Sequence, residues 1–192
     1  MVSLSLASPA QMRKLARVLA EVLRPPALVT VEGELGTGKT TLVRALLRAR
    51  GVHGTVTSPS FTLAQSYHGR GGEPLHHLDL YRLSRGADAG LFAWDDYLGP
   101  DALTFVEWPA AGSDALPPAD VRIELEHRTP RSRAARVYGS PALEEAVARD
   151  AAGQGIAVEV AAGARDASPA VRGAPDDAGA AIAAPRGSGS RS

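Results

Sequence analysis

Apolar residues recur at helical spacing soon after the start of the chain. Ser8-Pro9-Ala10-Gln11 reads as a helix start: serine can cap, proline suits the first helical position, and Gln11 completes a capping box. Met12, Leu15, Ala16, Leu19, Val22 and Leu23 then fall on one helical face, and Pro25-Pro26 stops the helix. Ala27 to Glu32 is a short, β-branched apolar run, the pattern of a buried strand. A glycine-rich loop follows. Thr40 to Arg50 again has helical spacing, through Leu42, Val43, Leu46 and Leu47, with Gly51 as its C-cap.

Beyond Gly51 the period changes. Ser60 to His68 and Leu75 to Leu83 read as two strands around the turn-rich "GRGGEP", hence a hairpin. Ala87 to Leu98 predicts one or two short helical turns, and Ala102 to Trp108 an apolar strand. Val121, Ile123 and Leu125 alternate with Arg122, Glu124 and Glu126, the mark of a half-buried strand. Arg133 to Tyr138 can pair with it through "RTPRS". Strand, loop and helix, then mostly strands, imply a mixed sheet around one parallel crossover. Every aromatic residue lies between Phe61 and Tyr138. Residues 140–192 are rich in Ala, Gly and Pro. They are expected to form a mostly disordered tail with one short helix at "PALEEAVARDAA", because so little apolar surface cannot offset the entropy of ordering. The expected division is a folded domain over 1–139 and a tail over 140–192.

Composition narrows the chemistry. The chain has 192 residues, with 21 Lys+Arg against 21 Asp+Glu. A net charge of zero supplies no global pull toward nucleic acid or an anionic membrane. The absence of cysteine excludes disulfides, thiolate metal sites and cysteine nucleophiles. The N-terminal segment is polar-interrupted and unlike a signal peptide. No apolar run approaches the roughly 18 residues that span a bilayer. A soluble, cytoplasmic protein is the expectation.

The loop "VEGELGTGKTTL" carries the clearest chemistry. Gly33-Glu34-Leu35-Gly36-Thr37-Gly38-Lys39-Thr40 matches G-x-x-x-x-G-K-[ST] in full, with a strand before it and a helix after it. Glycines let the backbone turn its N–H groups toward phosphate oxygens, and the helix start adds a positive dipole end. Lys39 can reach the terminal phosphates, Thr40 can bind magnesium, and Thr41 continues the cradle. Lysine occurs only at Lys14 and Lys39, against 19 arginines. A lysine here points to a need for a compact point charge. The ligand implied is a nucleoside triphosphate with Mg2+. The N/T-K-x-D guanine reader is absent, so adenine, and hence ATP, is preferred.

Phosphoryl transfer also needs charge neutralisation and a positioned nucleophile. Two strand-end carboxylates fit, Asp79 in "LHHLDLYRL" and Glu107 in "LTFVEW". Asp79 would hold magnesium, and Glu107 would orient or deprotonate the attacking water or share the metal. The plain alternative for each is a surface carboxylate at a strand end. "TVTSPSFTL" offers Ser58, Ser60 and Thr62 as a switch-like segment sensing the terminal phosphate, against the alternative of an ordinary loop. Trp108 could stack near the base or a partner, or belong to the core. His76 and His77 are adjacent on a strand and face opposite ways, so they do not form a zinc pair.

"GELGTGKTTL", "TSPSFTL", "HLDLYRL" and "FVEWP", in this order and spacing, resemble the bacterial TsaE (YjeE) family over roughly residues 6–139. The loop alone is a weak family marker, and the combination is specific. The resemblance implies a P-loop NTPase-like, three-layer α/β domain with a mixed, partly antiparallel sheet. It implies an ATPase, slow alone, that works with the TsaD and TsaB proteins in tRNA threonylcarbamoyladenosine formation. That complex moves threonylcarbamoyl from an adenylate to the adenosine beside the anticodon of tRNAs reading codons that begin with A. ATP hydrolysis would reset the complex, and tRNA would be met only through it. By the same resemblance, Lys39 and Thr40 take the phosphate and magnesium roles. Asp79 is the Walker B-like acid and Glu107 the second acid. Thr62 and its neighbours form the switch, and Trp108 lies near the nucleotide. The chain departs from the family beyond Gly139 and in the Ala- and Gly-rich "SRGADAGLFAWDDYL". The competing reading is a small-molecule P-loop kinase, with Arg82, Arg85, Arg128, Arg131 and Arg133 as lid arginines. A kinase lid needs a helical insertion, and this part of the chain reads as strands. A third is a nucleotide-sensing module with negligible hydrolysis.

Overall fold

The first helix, α1 (Pro9–Val22), begins where its cap predicts. Ser8 Oγ accepts the Gln11 N–H at 3.4 Å, and Gln11 Oε1 accepts the Ala7 N–H at 2.6 Å. Strand β2 (Ala27–Glu32) follows, then α2 (Lys39–Ala49). The computed structural model describes residues 1–57, 59, 62–83, 93–112 and 115–159. Within them lie a hairpin, β3 (Ala64–His68) and β4 (Pro74–Asp79), then β5 (Leu103–Glu107), β6 (Val121–His127) and β7 (Arg133–Tyr138). The hairpin strands are shorter than their apolar runs. Asp79 ends β4 by accepting the Tyr81 N–H on its own carboxylate at 3.1 Å, a local bond that competes with the ladder. The 3-10 turn Trp94–Asp96 falls inside the expected Ala87–Leu98 segment, whose earlier residues lie outside those described.

Three elements that pattern alone left out, or placed in a tail, complete the architecture: two strands and a helix. Strand β1 (Val2–Leu6) buries Val2, Leu4 and Leu6 and pairs antiparallel with β7. Its two serines mask a period-2 strand. The region after Gly139 is also part of the fold through Glu159. Helix α3 (Pro141–Gly153) packs on α1, with Val147 and Ala151 fully buried, and β8 (Ala157–Glu159) pairs with the free edge of β1. The domain expected to close at residue 139 therefore continues. Small alanines can bury fully against a helix, so composition understated how much surface they remove from water. Residues 160–192 lie outside those described.

The eight strands run in the order β3-β4-β5-β2-β6-β7-β1-β8. The expectation of one parallel crossover is corrected to three parallel pairs: β4 with β5, β5 with β2, and β2 with β6. The remaining pairs are antiparallel. Leu28 to Val31 are buried without a break, as suits a central strand flanked by parallel neighbours. Alternate residues then divide between two cores. Val29, Val31, Leu103, Phe105 and Ile123 pack under the three helices. Leu28, Leu78 and Val106 face a layer of irregular chain around Trp94, Tyr97 and Leu116. This irregular segment, not a helix among the described residues, forms the third layer. No described helix is long and apolar enough to cross a membrane.

Ile156 is 2% exposed in the main core, between α3 and β8. Replacing it with Ala is expected to lower stability by about 2–5 kcal/mol, read from the denaturant midpoint. An unchanged midpoint would detach α3 and β8 from the folded unit.

Candidate phosphate-loop site

The glycine loop is shaped from both sides. Gly33 has φ 137°, and a Cβ there would stand 2.2 Å from the Leu125 carbonyl oxygen of β6. Only glycine fits that approach. Gly38, at φ 105°, caps α2 in the left-handed region. Thr37 is buried, and its Oγ1 donates to the Glu34 carbonyl at 2.9 Å. From outside, Arg133 of β7 donates Nε to the Thr37 carbonyl at 3.1 Å and Nη2 to the Gly36 carbonyl at 3.2 Å. His127 Nε2 donates to the Leu35 carbonyl at 3.2 Å. In a trans peptide the following N–H points the opposite way. The N–H groups of Gly36 and Gly38 therefore turn away from these side chains, toward the inner side of the loop.

Lys39 opens α2 with its ammonium buried. Nζ donates to the Gly33 carbonyl at 2.7 Å and the Glu34 carbonyl at 2.8 Å, and lies 3.7 Å from the Trp108 ring centroid. Burial lowers its pKa, while the charges of Glu107 and Asp79 act to raise it. Trp108 has φ 58°, an uncommon conformation for so bulky a residue. It turns the ring onto Lys39, with Tyr81 against it at 4.9 Å. Trp108 thus stands on the lysine side of the loop.

The two carboxylates stand side by side, because Asp79 and Glu107 are register partners at the ends of β4 and β5. Both are buried. Thr40 Oγ1 donates to Glu107 Oε2 at 2.8 Å, and His77 Nε2 lies 2.7 Å from Glu107 Oε1. Lys39, Thr40, Asp79, Glu107, Trp108 and Arg82 line one cleft of about 440 Å³. Across the loop a second cleft, about 400 Å³, has Met12, Leu6 and Pro130 among its walls and shares Gly36, Gly38 and Thr41 with the first.

A sequence profile described as "Threonylcarbamoyl adenosine biosynthesis protein TsaE" matches residues 6–135. The chain belongs to the TsaE family. The tRNA threonylcarbamoyladenosine biosynthesis protein TsaE of Streptomyces coelicolor is 42% identical over 116 residues, 60% of this chain and 78% of that protein. The protein of the same name from Haemophilus influenzae is 34% identical over 116 residues, 60% of this chain and 73% of that protein. The crystal structure of Bacillus subtilus YdiB shares the fold, with a TM-score of 0.64 at 23% identity over 81% of this chain and 98% of that one. Helix α3 and strand β8 lie beyond the residues that match the TsaE profile.

Not every expected residue joins the TsaE site. Glu34 is exposed and contributes only its backbone carbonyl, whereas Leu35, though exposed, lines the cleft. Thr62 is exposed and donates to the Ala64 carbonyl at 3.2 Å, and it does not line the cleft. Ser58 and Ser60 lie outside the described residues. His76 and His77 do face opposite ways: His76 meets Tyr97, and His77 meets Glu107. Sequence reading weighed His77 only as half of a zinc pair, and Arg133 only as a lid arginine. The alternation of β4 already put His77 on the face of Asp79. No local pattern ties Arg133 to a loop nearly a hundred residues away.

Gly33→Ala is expected to abolish nucleotide binding, measured by calorimetry, and to lower stability by more than about 1 kcal/mol. Wild-type affinity with an unshifted melting temperature would show that the loop tolerates a Cβ at this position.

Proposed function

We propose that this chain is the ATPase of tRNA threonylcarbamoyladenosine formation, hydrolysing ATP to reset a TsaB–TsaD complex. The observation that carries this reading is Glu107, a buried carboxylate bonded to Thr40 and paired with Asp79 beside Lys39. That arrangement goes beyond phosphate binding. It supports hydrolysis, because phosphoryl transfer to water needs a hydrogen-bond acceptor near the terminal phosphate.

The donor set fits magnesium: a hydroxyl and two carboxylates, all hard oxygens, gathered in one cleft. Thr40, Asp79 and Glu107 would hold the ion, which when bound neutralises phosphate charge. The inward N–H groups of the loop and Lys39 bind the β- and γ-phosphates. Glu107 accepts a proton or hydrogen bond from water as it attacks the γ-phosphorus. The bond to the β-phosphate oxygen breaks, leaving ADP and inorganic phosphate. Arg82, at the cleft wall, is this chain's own candidate for transition-state charge, and a partner arginine is the alternative supply. The nucleoside end enters the second cleft, whose apolar walls at Met12, Leu6 and Pro130 suit a flat base. The segment around Ser58, Ser60 and Thr62 remains the proposed sensor of the terminal phosphate. Zero net charge favours contact with tRNA through the complex over direct steering to it. The cytoplasm, where tRNA is modified, is the proposed compartment.

Incubation with γ-labelled ATP, with and without TsaB and TsaD, tests this. Label is expected in inorganic phosphate alone, at a rate that rises with the complex. Glu107→Ala should lower turnover about a hundredfold or more and leave ATP affinity nearly unchanged. Label in a small organic phosphate would identify a kinase instead. Full turnover in Glu107→Ala would remove Glu107 from the reaction.

A further inference from the structure

His77 is 0% exposed and lines neither cleft, yet it makes one of the shortest contacts of the site. It stands on β4 two residues before Asp79, on the same face, with Phe105 as its register partner. Glu107 is therefore its diagonal neighbour across the β4–β5 pair. A long side chain bridges such a diagonal, and His77 Nε2 reaches Glu107 Oε1 at 2.7 Å.

We infer that His77 is a positioning residue for the ATPase reaction, holding Glu107 through a hydrogen bond from Nε2. The inference rests on the function proposed above. Chemistry selects the direction of the bond. His77 Nδ1 is buried and makes no hydrogen bond. A proton on Nε2 has the Glu107 carboxylate as acceptor, whereas a proton on Nδ1 would be an unsatisfied buried donor, which is costly. The imidazole N–H accordingly points at Glu107.

This bond answers a specific problem. Glu107 and Asp79 are adjacent, buried and alike in charge, so repulsion favours swinging one of them away. Thr40 holds one oxygen of Glu107 from α2, and His77 holds the other from β4. With each oxygen fixed from a different element, the carboxylate has one orientation before substrate arrives. Such preorganisation lowers the barrier without adding substrate affinity. A histidine present only for packing would give a different pattern of effects.

Three full-length variants separate these roles. His77→Leu keeps the volume and removes the donor. His77→Gln restores an N–H at nearly the position of Nε2, and His77→Asn offers one that stops short. The Leu and Asn variants are expected to lose about ten- to a hundredfold in kcat, the effect of one hydrogen bond to a charged group, while the KM for ATP stays within about twofold. His77→Gln should recover most of the rate. In a Glu107→Ala background His77→Leu should cost nothing further. Wild-type kcat in His77→Leu, a Gln variant as slow as Leu, or additive losses in the double variant would each overturn the inference. If only Glu107→Ala is inactive, the ATPase reading stands and His77 drops out. Full turnover in Glu107→Ala removes Glu107 from the reaction and overturns the inference while the ATPase reading stands. No release of inorganic phosphate by the wild type, with or without TsaB and TsaD, overturns the ATPase reading. Should His77→Leu fail to fold, the 1H–15N spectrum of the wild-type imidazole decides: Nε2 protonated supports the bond, Nε2 bare overturns it.

Discussion

The parallel pairing of β2 with β5, which sets Val31 opposite Glu107, is the constraint on which the rest of the site depends. It puts the start of the glycine loop next to the second acid, and the β4–β5 pair then brings Asp79 alongside. On its other edge β2 pairs with β6, whose Leu125 carbonyl presses against Gly33. The register is held by burial. Val29, Val31, Leu103 and Phe105 lie at 0–1% exposure under the helices. A one-residue slip would turn that whole set to the opposite face and take Glu107 away from Thr40.

Around this frame the charges are balanced locally. Two carboxylates and one ammonium are buried together, a costly arrangement unless every group finds partners. Lys39 has two loop carbonyls and the Trp108 face. Glu107 has Thr40 and His77, and Asp79 has the Tyr81 N–H. The desolvation that lowers the Lys39 pKa is opposed by the two acids beside it. Each buried charge of the site thus has protein partners, and Arg133 and His127 hold the loop from behind.

The irregular layer and the last helix have a different logic. Trp94, in a short 3-10 turn, and Leu116 cover the sheet face that the three helices leave. Helix α3 and strand β8 extend the fold past the residues shared with the TsaE profile, by covering α1 and the outer edge of β1. Alanine-rich composition hid this, since small side chains add little hydrophobicity each but pack without voids. Strand β1 was hidden for a related reason: two serines among three apolar residues look polar until the partner strand shows which face is inside.

The sequence by itself determined the glycine loop, the helix start at Ser8, the second helix to within a residue of its start, the apolar strands β2 and β5, and the two strand-end acids. Each of these is specified by contiguous residues whose backbone geometry or burial pattern depends on near neighbours. The TsaE resemblance was legible for the same reason, being carried by short motifs. Only the tertiary structure decided that three strand pairs are parallel, that Trp108 lies over Lys39, that Arg133 grips the loop, and that His77 holds Glu107. Those contacts join segments many residues apart. Their register comes from the summed burial of the whole sheet, which no local stretch of sequence contains.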